Sequence, residues 1–113
     1  MADAVSPPAP RRGDVWFADV PGDKRRPVLV LTRDPMGRLL RSVLCAPITT
    51  NVRGLATEVP LGADAGLQSE SVANFDNTFL LARPRLIRQL GRASGETMAA
   101  ACAAVSIAAG CSR

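Results

Sequence analysis

The run Arg25-Arg26-Pro27-Val28-Leu29-Val30-Leu31-Thr32 constrains this chain more than any other stretch. Val28 to Leu31 has no polar position, so the alternation of a half-exposed strand is absent. Such a run suits a central strand covered on both faces. Pro27 has no amide proton to give a ladder and is expected as the strand's first residue. It also drives Arg26 out of the helical region into an extended conformation. A guanidinium is therefore expected at the rim of a core strand, with little backbone freedom. A second apolar run, Val43-Leu44-Cys45-Ala46-Pro47-Ile48, ends in Thr49-Thr50-Asn51. The two runs suggest that Arg26 and Thr49 meet at one rim and act on a phosphate, whose oxygens the planar guanidinium fork matches. The spacing alone is a weak signal, because Arg-Pro precedes many strands.

The rest of the chain frames these two strands. Residues 1–12, with Ser6-Pro7-Pro8-Ala9-Pro10, read as a disordered or extended tail before a domain over 13–113. Asp14 to Val20 reads as a first strand on its aromatic and β-branched content. Trp16, the one tryptophan, is expected as a core or interface anchor. Pro21-Gly22-Asp23-Lys24 is a turn. Thr57 to Leu61 reads as a short strand that Pro60 confines to an edge or a strand end. Ser71 to Phe79 alternates, but Val72, Phe75 and Phe79 break parity, so a bulge or break is expected near Asn77. Pro84 suits the first position of a helical turn over Pro84 to Ile87. Ser94 is a good N-cap for an Ala-rich helix that runs to Ala109 and stops at Gly110. Met98, Cys102, Val105 and Ala109 share one face of it and are expected to pack on the sheet. Short strands followed by one helix suggest a small curled antiparallel sheet or barrel, mainly β, with a covering helix.

What is missing narrows the chemistry. There is no histidine, no tyrosine, no nucleophile elbow and no phosphate-binding Gly-Lys loop. Ser-His-Asp and Cys-His catalysis are excluded. The ten carboxylates are scattered without an Asp-x-Asp pair, so a two-metal site is not indicated. Without histidine, and with Cys45, Cys102 and Cys111 far apart, an ordinary zinc site is not expected either. No metal and no cofactor is expected. The cysteine number is odd, which fits a reducing, cytoplasmic setting, with Cys45 in the core and Cys111 exposed. No apolar stretch reaches the ~18 residues of a membrane span, and the first residues do not read as a signal peptide. Net charge is +4, from 13 Arg and one Lys against the ten acids. This favours a polyanionic partner, although GC-rich coding produces the same excess of Arg over Lys.

Five segments in order give a more specific indication. They are Arg12-Gly13-Asp14-Val15-Trp16, Arg26 to Leu31, Ala46-Pro47-Ile48-Thr49, Gly66-Leu67 with Ser71-Val72, and Leu90-Gly91 followed by Glu96-Thr97-Met98. Each is weak alone. Together, covering nearly all of residues 11–109, they resemble the MazF/PemK/Kid ribonuclease toxins of bacterial type II toxin–antitoxin systems. The resemblance implies an SH3-like barrel of antiparallel strands with a C-terminal helix, and a homodimer. It implies metal-independent, sequence-selective cleavage of single-stranded RNA, through the 2′-hydroxyl, to a 2′,3′-cyclic phosphate and a 5′-hydroxyl. The RNA is mRNA in most members and tRNA or rRNA in some. A cognate antitoxin is implied, with a disordered tail that covers the RNA groove.

Position by position, Arg26 matches the family's catalytic arginine and Thr49 its catalytic threonine. Asp76 falls where some members carry an acid used in catalysis or RNA contact. Lys24, Arg25, Arg53, Asn74 and Asn77 are the expected RNA contacts, with Asn74 standing where some members have a functional arginine. The connection from Asp19 to Arg26 is shorter than the family's usual mobile loop. Competing structural readings remain for each. Arg26 could pair with Asp19 or Asp76, Thr49 could satisfy a strand-end backbone group, and Asp76 could be a turn acid. The other arginines could be solvated charges. A different functional class, a non-enzymatic SH3-like toxin or binding module acting on a protein such as a topoisomerase, stays open at this point, because fold does not set function.

Overall fold

In the computed structural model, residues 8–111 are described, and β2 (Arg26–Val30) lies inside the sheet as the apolar run requires. It is flanked by β1 (Asp14–Ala18) and β3 (Ser42–Thr49), both antiparallel to it. The remaining strands are β4 (Glu58–Leu61), β5 (Ser71–Asn74), β6 (Phe79–Ala82) and β7 (Leu86–Arg92). Helix α1 (Gly95–Ala108) follows them. The order across the sheet is β4-β5-β3-β2-β1-β7, and β6 pairs with β3. The seven strands curl into a small barrel that is left open, since β4 and β7 end the sheet without pairing.

Alternation explains why β2 needs apolar residues on both faces. Leu29 enters a core with Val15, Ala46, Ile48, Phe75 and the helix residues Met98, Ala101 and Ala104. Val28 and Val30 enter a second core on the other side, with Val43, Cys45, Leu81 and Leu86. All three β2 residues are fully buried, and burying each such side chain stabilises the fold by ~1.5–3 kcal/mol. Trp16 packs against the second core, and its indole donates to Asp14 Oδ2 at 3.3 Å. Pro60 lies in β4, an edge strand, where no outer neighbour needs its missing amide. No helix among the described residues is long and apolar enough to cross a membrane.

β3 is the long strand that organises the rest. Its first half pairs with β6 over Ser42 to Cys45, its middle with β2 over Cys45 to Pro47, and its end with β5 at Ile48 and Thr49. The open seam is bridged by backbone contact at two glycines. A Cβ on Gly66, at φ 87°, would strike the Leu90 carbonyl, and one on Gly91 would strike the Ala65 carbonyl. Only residues without a side chain allow this approach.

Several expectations are corrected. Pro27 is the second residue of β2, because Arg26 already pairs with Ala18. β1 ends at Ala18, where the Asp19 amide leaves the ladder and donates to the Arg85 carbonyl. The anticipated break after β5 is a 3₁₀ turn over Phe75–Asn77, capped by Asn74. The helical turn near Pro84 is also 3₁₀, over Arg83–Arg85. It is followed by β7, which the sequence reading did not foresee. Only Leu86 of β7 is buried, and two register shifts against β1 erase its alternation. Ser94 caps α1 as expected, its hydroxyl accepting from the Thr97 amide. The buried face, however, is Met98, Ala101 and Ala104, with Cys102 and Val105 exposed. In an Ala-rich helix nearly every face is apolar, so period does not choose among them; the buried face is set by how the helix docks on the sheet. The tail reading also changes within the described part. Pro10 is fully buried, and the Pro8 carbonyl accepts from Arg83 Nε at 2.8 Å. A carbonyl with no strand partner found a guanidinium instead. The rest of that reading, residues 1–7, lies outside the described residues.

Candidate active site

Arg26 and Thr49 line one groove of about 660 Å³, with Asp23, Asn51, Arg53, Asn74, Asn77 and Phe79 also in its wall. Strand register brings the first two together. Val28 pairs with Pro47, and the same register continued two residues outward brings Arg26 level with Thr49. Arg26 Nη1 confirms the closeness by donating to the Ile48 carbonyl at 3.4 Å. Asn74 reaches the groove from β5, which pairs with the far end of β3. Asn77 comes from the 3₁₀ turn that follows.

Arg26 is oriented by Asp23. Its Nε and Nη2 donate to the two carboxylate oxygens at 2.8 and 3.1 Å. The guanidinium, and after it the Lys24 amide, holds the Asp23 carboxyl below the usual carboxylate value. Neither Asp19 nor Asp76 pairs with Arg26; Asp19 pairs with Arg85 at 3.3 Å. Of five guanidinium N–H donors, two go to Asp23 and one to Ile48, leaving two for a ligand. The Thr49 hydroxyl accepts from the Asn51 amide at 3.1 Å, so its oxygen is fixed while its proton stays free to donate.

The other named residues are not all in this wall. Asp76 does not line the groove; its Oδ2 accepts from the Thr57 hydroxyl at 2.6 Å. Its amide donates to Asn74 Oδ1 at 2.9 Å. Strand alternation ends at Asn74, and the 3₁₀ turn swings Asp76 toward the buried Thr57. Lys24 and Arg25 are exposed in the approach to β2 and are not among the lining residues. Sequence reasoning missed Asp23, Asn51, Thr57 and Glu58. A weak signal existed for Asp23, an acid three residues before Arg26 in a Pro-Gly-Asp turn. Among the described residues, no three His, Cys, Asp or Glu side chains gather.

Comparison with known proteins agrees with this architecture. Residues 11–108 match the family described as PemK-like, MazF-like toxin of type II toxin–antitoxin systems. A curated relative, the probable endoribonuclease MazF5 of Mycobacterium tuberculosis, is 42% identical over 92% of this chain and 96% of its own length. The solved structure of the Mycobacterium tuberculosis toxin MazF-mt6 superposes with a TM-score of 0.83 at 41% identity, covering 88% of this chain and 99% of that one. A mycobacterial endoribonuclease solved in complex with its cognate antitoxin has a TM-score of 0.83 at 30% identity, covering 93% and 99%. The curled sheet, the single terminal helix and these likenesses agree: the chain belongs to the PemK-like, MazF-like toxin family of type II toxin–antitoxin systems.

Proposed function

We propose that this toxin is a metal-independent endoribonuclease that cuts single-stranded RNA at selected sequences. The observation that carries the reading is the placing of Arg26 and Thr49 in one groove wall. The named activity of its relatives supports it. Among the described residues, Asp23 is the one carboxylate lining the groove, and it is forked onto Arg26, so no cluster of acids is there to activate a water. RNA brings its own nucleophile, a 2′-hydroxyl beside the scissile phosphate, with the large rate advantage of an intramolecular attack. The 2′-oxygen bonds to phosphorus, and the bond to the 5′-oxygen breaks. One proton leaves the 2′-hydroxyl and one joins the departing 5′-oxygen, giving a 2′,3′-cyclic phosphate and a 5′-hydroxyl.

In this mechanism the free N–H groups of Arg26 hold the non-bridging oxygens as charge builds on them. The Thr49 hydroxyl donates to the same phosphate. Asn51, Asn74, Asn77 and Arg53 track the flanking nucleotides, and Lys24 and Arg25 add positive charge at the approach. Asp76 acts through Thr57 and Asn74, by shaping the turn that carries Asn77, rather than as the proton acceptor. The toxin works as a homodimer in the cytoplasm, and a cognate antitoxin silences it by covering the groove. That a mycobacterial neighbour forms a complex with its cognate antitoxin supports an antitoxin as partner.

The test uses a long RNA and mapped cut ends, then a short substrate with one 2′-deoxynucleotide at the mapped position, assayed with and without EDTA. Cleavage of the all-ribo substrate alone, unaffected by EDTA, is expected. Cutting of the deoxy substrate, or loss of activity with EDTA, overturns the mechanism. An RNA left whole overturns the reading itself and points to a protein target.

A further inference from the structure

Arg53 reaches the groove from a loop with no secondary structure, residues 51–55, all exposed. Such a loop would ordinarily wander, and a long side chain on it would lose much entropy on binding. Here one side chain gathers it. The Glu58 carboxylate accepts from the Arg53 amide at 3.0 and 3.3 Å, the Gly54 amide at 2.8 Å and the Leu55 amide at 3.3 Å. The Glu58 amide in turn donates to the Leu55 carbonyl at 3.0 Å. Three successive amides aimed at one anion form a backbone nest. Gly54 makes it possible, at φ 73° with open space around its Cβ position. Bonds from neutral amides to a carboxylate are the stronger, charge-assisted kind.

The two guanidiniums of the groove differ in consequence. Arg26 is forked onto Asp23. Arg53 forms no ion pair among the described residues, so its donors are uncommitted while its backbone is held. Next to Glu58, Thr57 performs the parallel task for the opposite loop. Its hydroxyl donates to Asp76, and its carbonyl accepts from the Phe75 amide at 2.9 Å. The head of β4 thus ties down two of the segments that carry groove residues, the 51–55 loop and the 3₁₀ turn after β5.

Resting on the nuclease reading, we propose that Glu58 is a positioning residue for substrate binding. It holds Arg53 against a phosphate of the RNA other than the one being cut, without touching the RNA itself. Its loss should therefore weaken binding and leave the chemical step.

The test compares wild type with Glu58→Ala, Glu58→Gln, Arg53→Ala and the double variant Arg53→Ala/Glu58→Ala. Amide exchange at residues 53–55 is read by NMR without RNA, and KM and kcat are read on the mapped RNA. In Glu58→Ala, exchange at the three amides should quicken and KM should rise about tenfold, the scale of one charged hydrogen bond, with kcat held within about twofold. Glu58→Gln keeps one acceptor oxygen and should fall between. The double variant should bind no worse than Arg53→Ala, since the two act as a unit. Should Glu58→Ala fail to fold, Glu58→Gln and Arg53→Ala decide the matter by the same KM ordering. Wild-type KM in the folded Glu58 variants, or additive losses in the double variant, would overturn the proposal alone. A wild-type protein that cut no RNA would overturn the nuclease reading and this proposal with it.

Discussion

Asp23 and Arg26 are joined by two hydrogen bonds, at 2.8 and 3.1 Å, across a single turn of chain. A carboxylate that takes two donors of one guanidinium fixes both its position and its plane. The turn between β1 and β2 therefore does more than connect strands; it aims the remaining N–H groups of Arg26 into the groove.

Arg26→Ala should abolish cleavage while leaving the fold intact. Removing an oriented donor from a developing negative charge costs ~3–4 kcal/mol, or a rate loss of about 10²–10³. Arg26→Lys should rescue little, because an ammonium cannot fork onto Asp23 and phosphate together. Circular dichroism melts and single-turnover rates on the same preparations check both; near-normal cleavage by Arg26→Ala sinks the assignment.

The Asp23–Arg26 pair has a pH dependence with a definite sign. Arg26 favours the ionised form, so Asp23 titrates below its ordinary 3.8. A depressed carboxyl contributes its effect above the unfolded-state pKa and loses it as pH falls through the folded-state value. The pair should thus be intact at neutral pH and open only in acid below that 3.8. A carbon-detected NMR titration should place Asp23 under this value in wild type and return it toward it in Arg26→Ala. An unchanged titration would mean that the pair does not persist in solution.

The three thiols should divide by burial. Cys45 is buried, and desolvation pushes its pKa up to about 12. Cys102 and Cys111 are exposed. A thiol-reactive chromophore at mildly alkaline pH should modify Cys102 and Cys111 quickly and reach Cys45 only on unfolding, since the thiolate is the reactive form. Rapid reaction of Cys45 in the native protein would contradict the core described above.

Gly66→Ala and Gly91→Ala should each destabilise the fold. Either methyl group meets a backbone carbonyl across the open seam, and Gly66 additionally sits at φ 87°. Overpacking against backbone costs ~1–3 kcal/mol. Urea midpoints check it, with Gly22→Ala as the contrast, because that site has a similar φ but nothing within 4 Å of a Cβ.

RNA binding should weaken steeply with salt, each phosphate contact adding about −0.7 to the slope of log K against log salt. Arg53→Ala should remove about one such contact from the slope. A flat titration of the wild type would mean that the arginine excess is compositional only.

How much of this was written in the chain can be read from particular elements. The Val28 to Leu31 run announced a strand buried on both faces, since a strand without a polar position has no face to give to water. Ser94 announced a helix start, because its hydroxyl satisfies an amide a few residues away. Pro60 announced an edge. These signals are local: each depends on a residue and its near neighbours. The two apolar runs suggested Arg26 and Thr49 as a pair at one rim, the family resemblance attached expected roles to them, and the sheet register brings them to one groove.

Tertiary structure decided the rest. β7 has no period of its own, because its place comes from β1 across two register shifts. The helix face depended on how α1 docks on the sheet, because apolar and small residues lie on every side of it. Asp76 was turned to Thr57 by a 3₁₀ turn whose geometry the alternating sequence concealed. Asp23 and Glu58 took their roles from distances of three to five residues across turns, where one backbone angle at Gly22 or Gly54 directs the side chain. Short-range preference can name a strand or a cap. The partner of a charged side chain is selected by where separate segments converge, and that is a property of the folded chain alone.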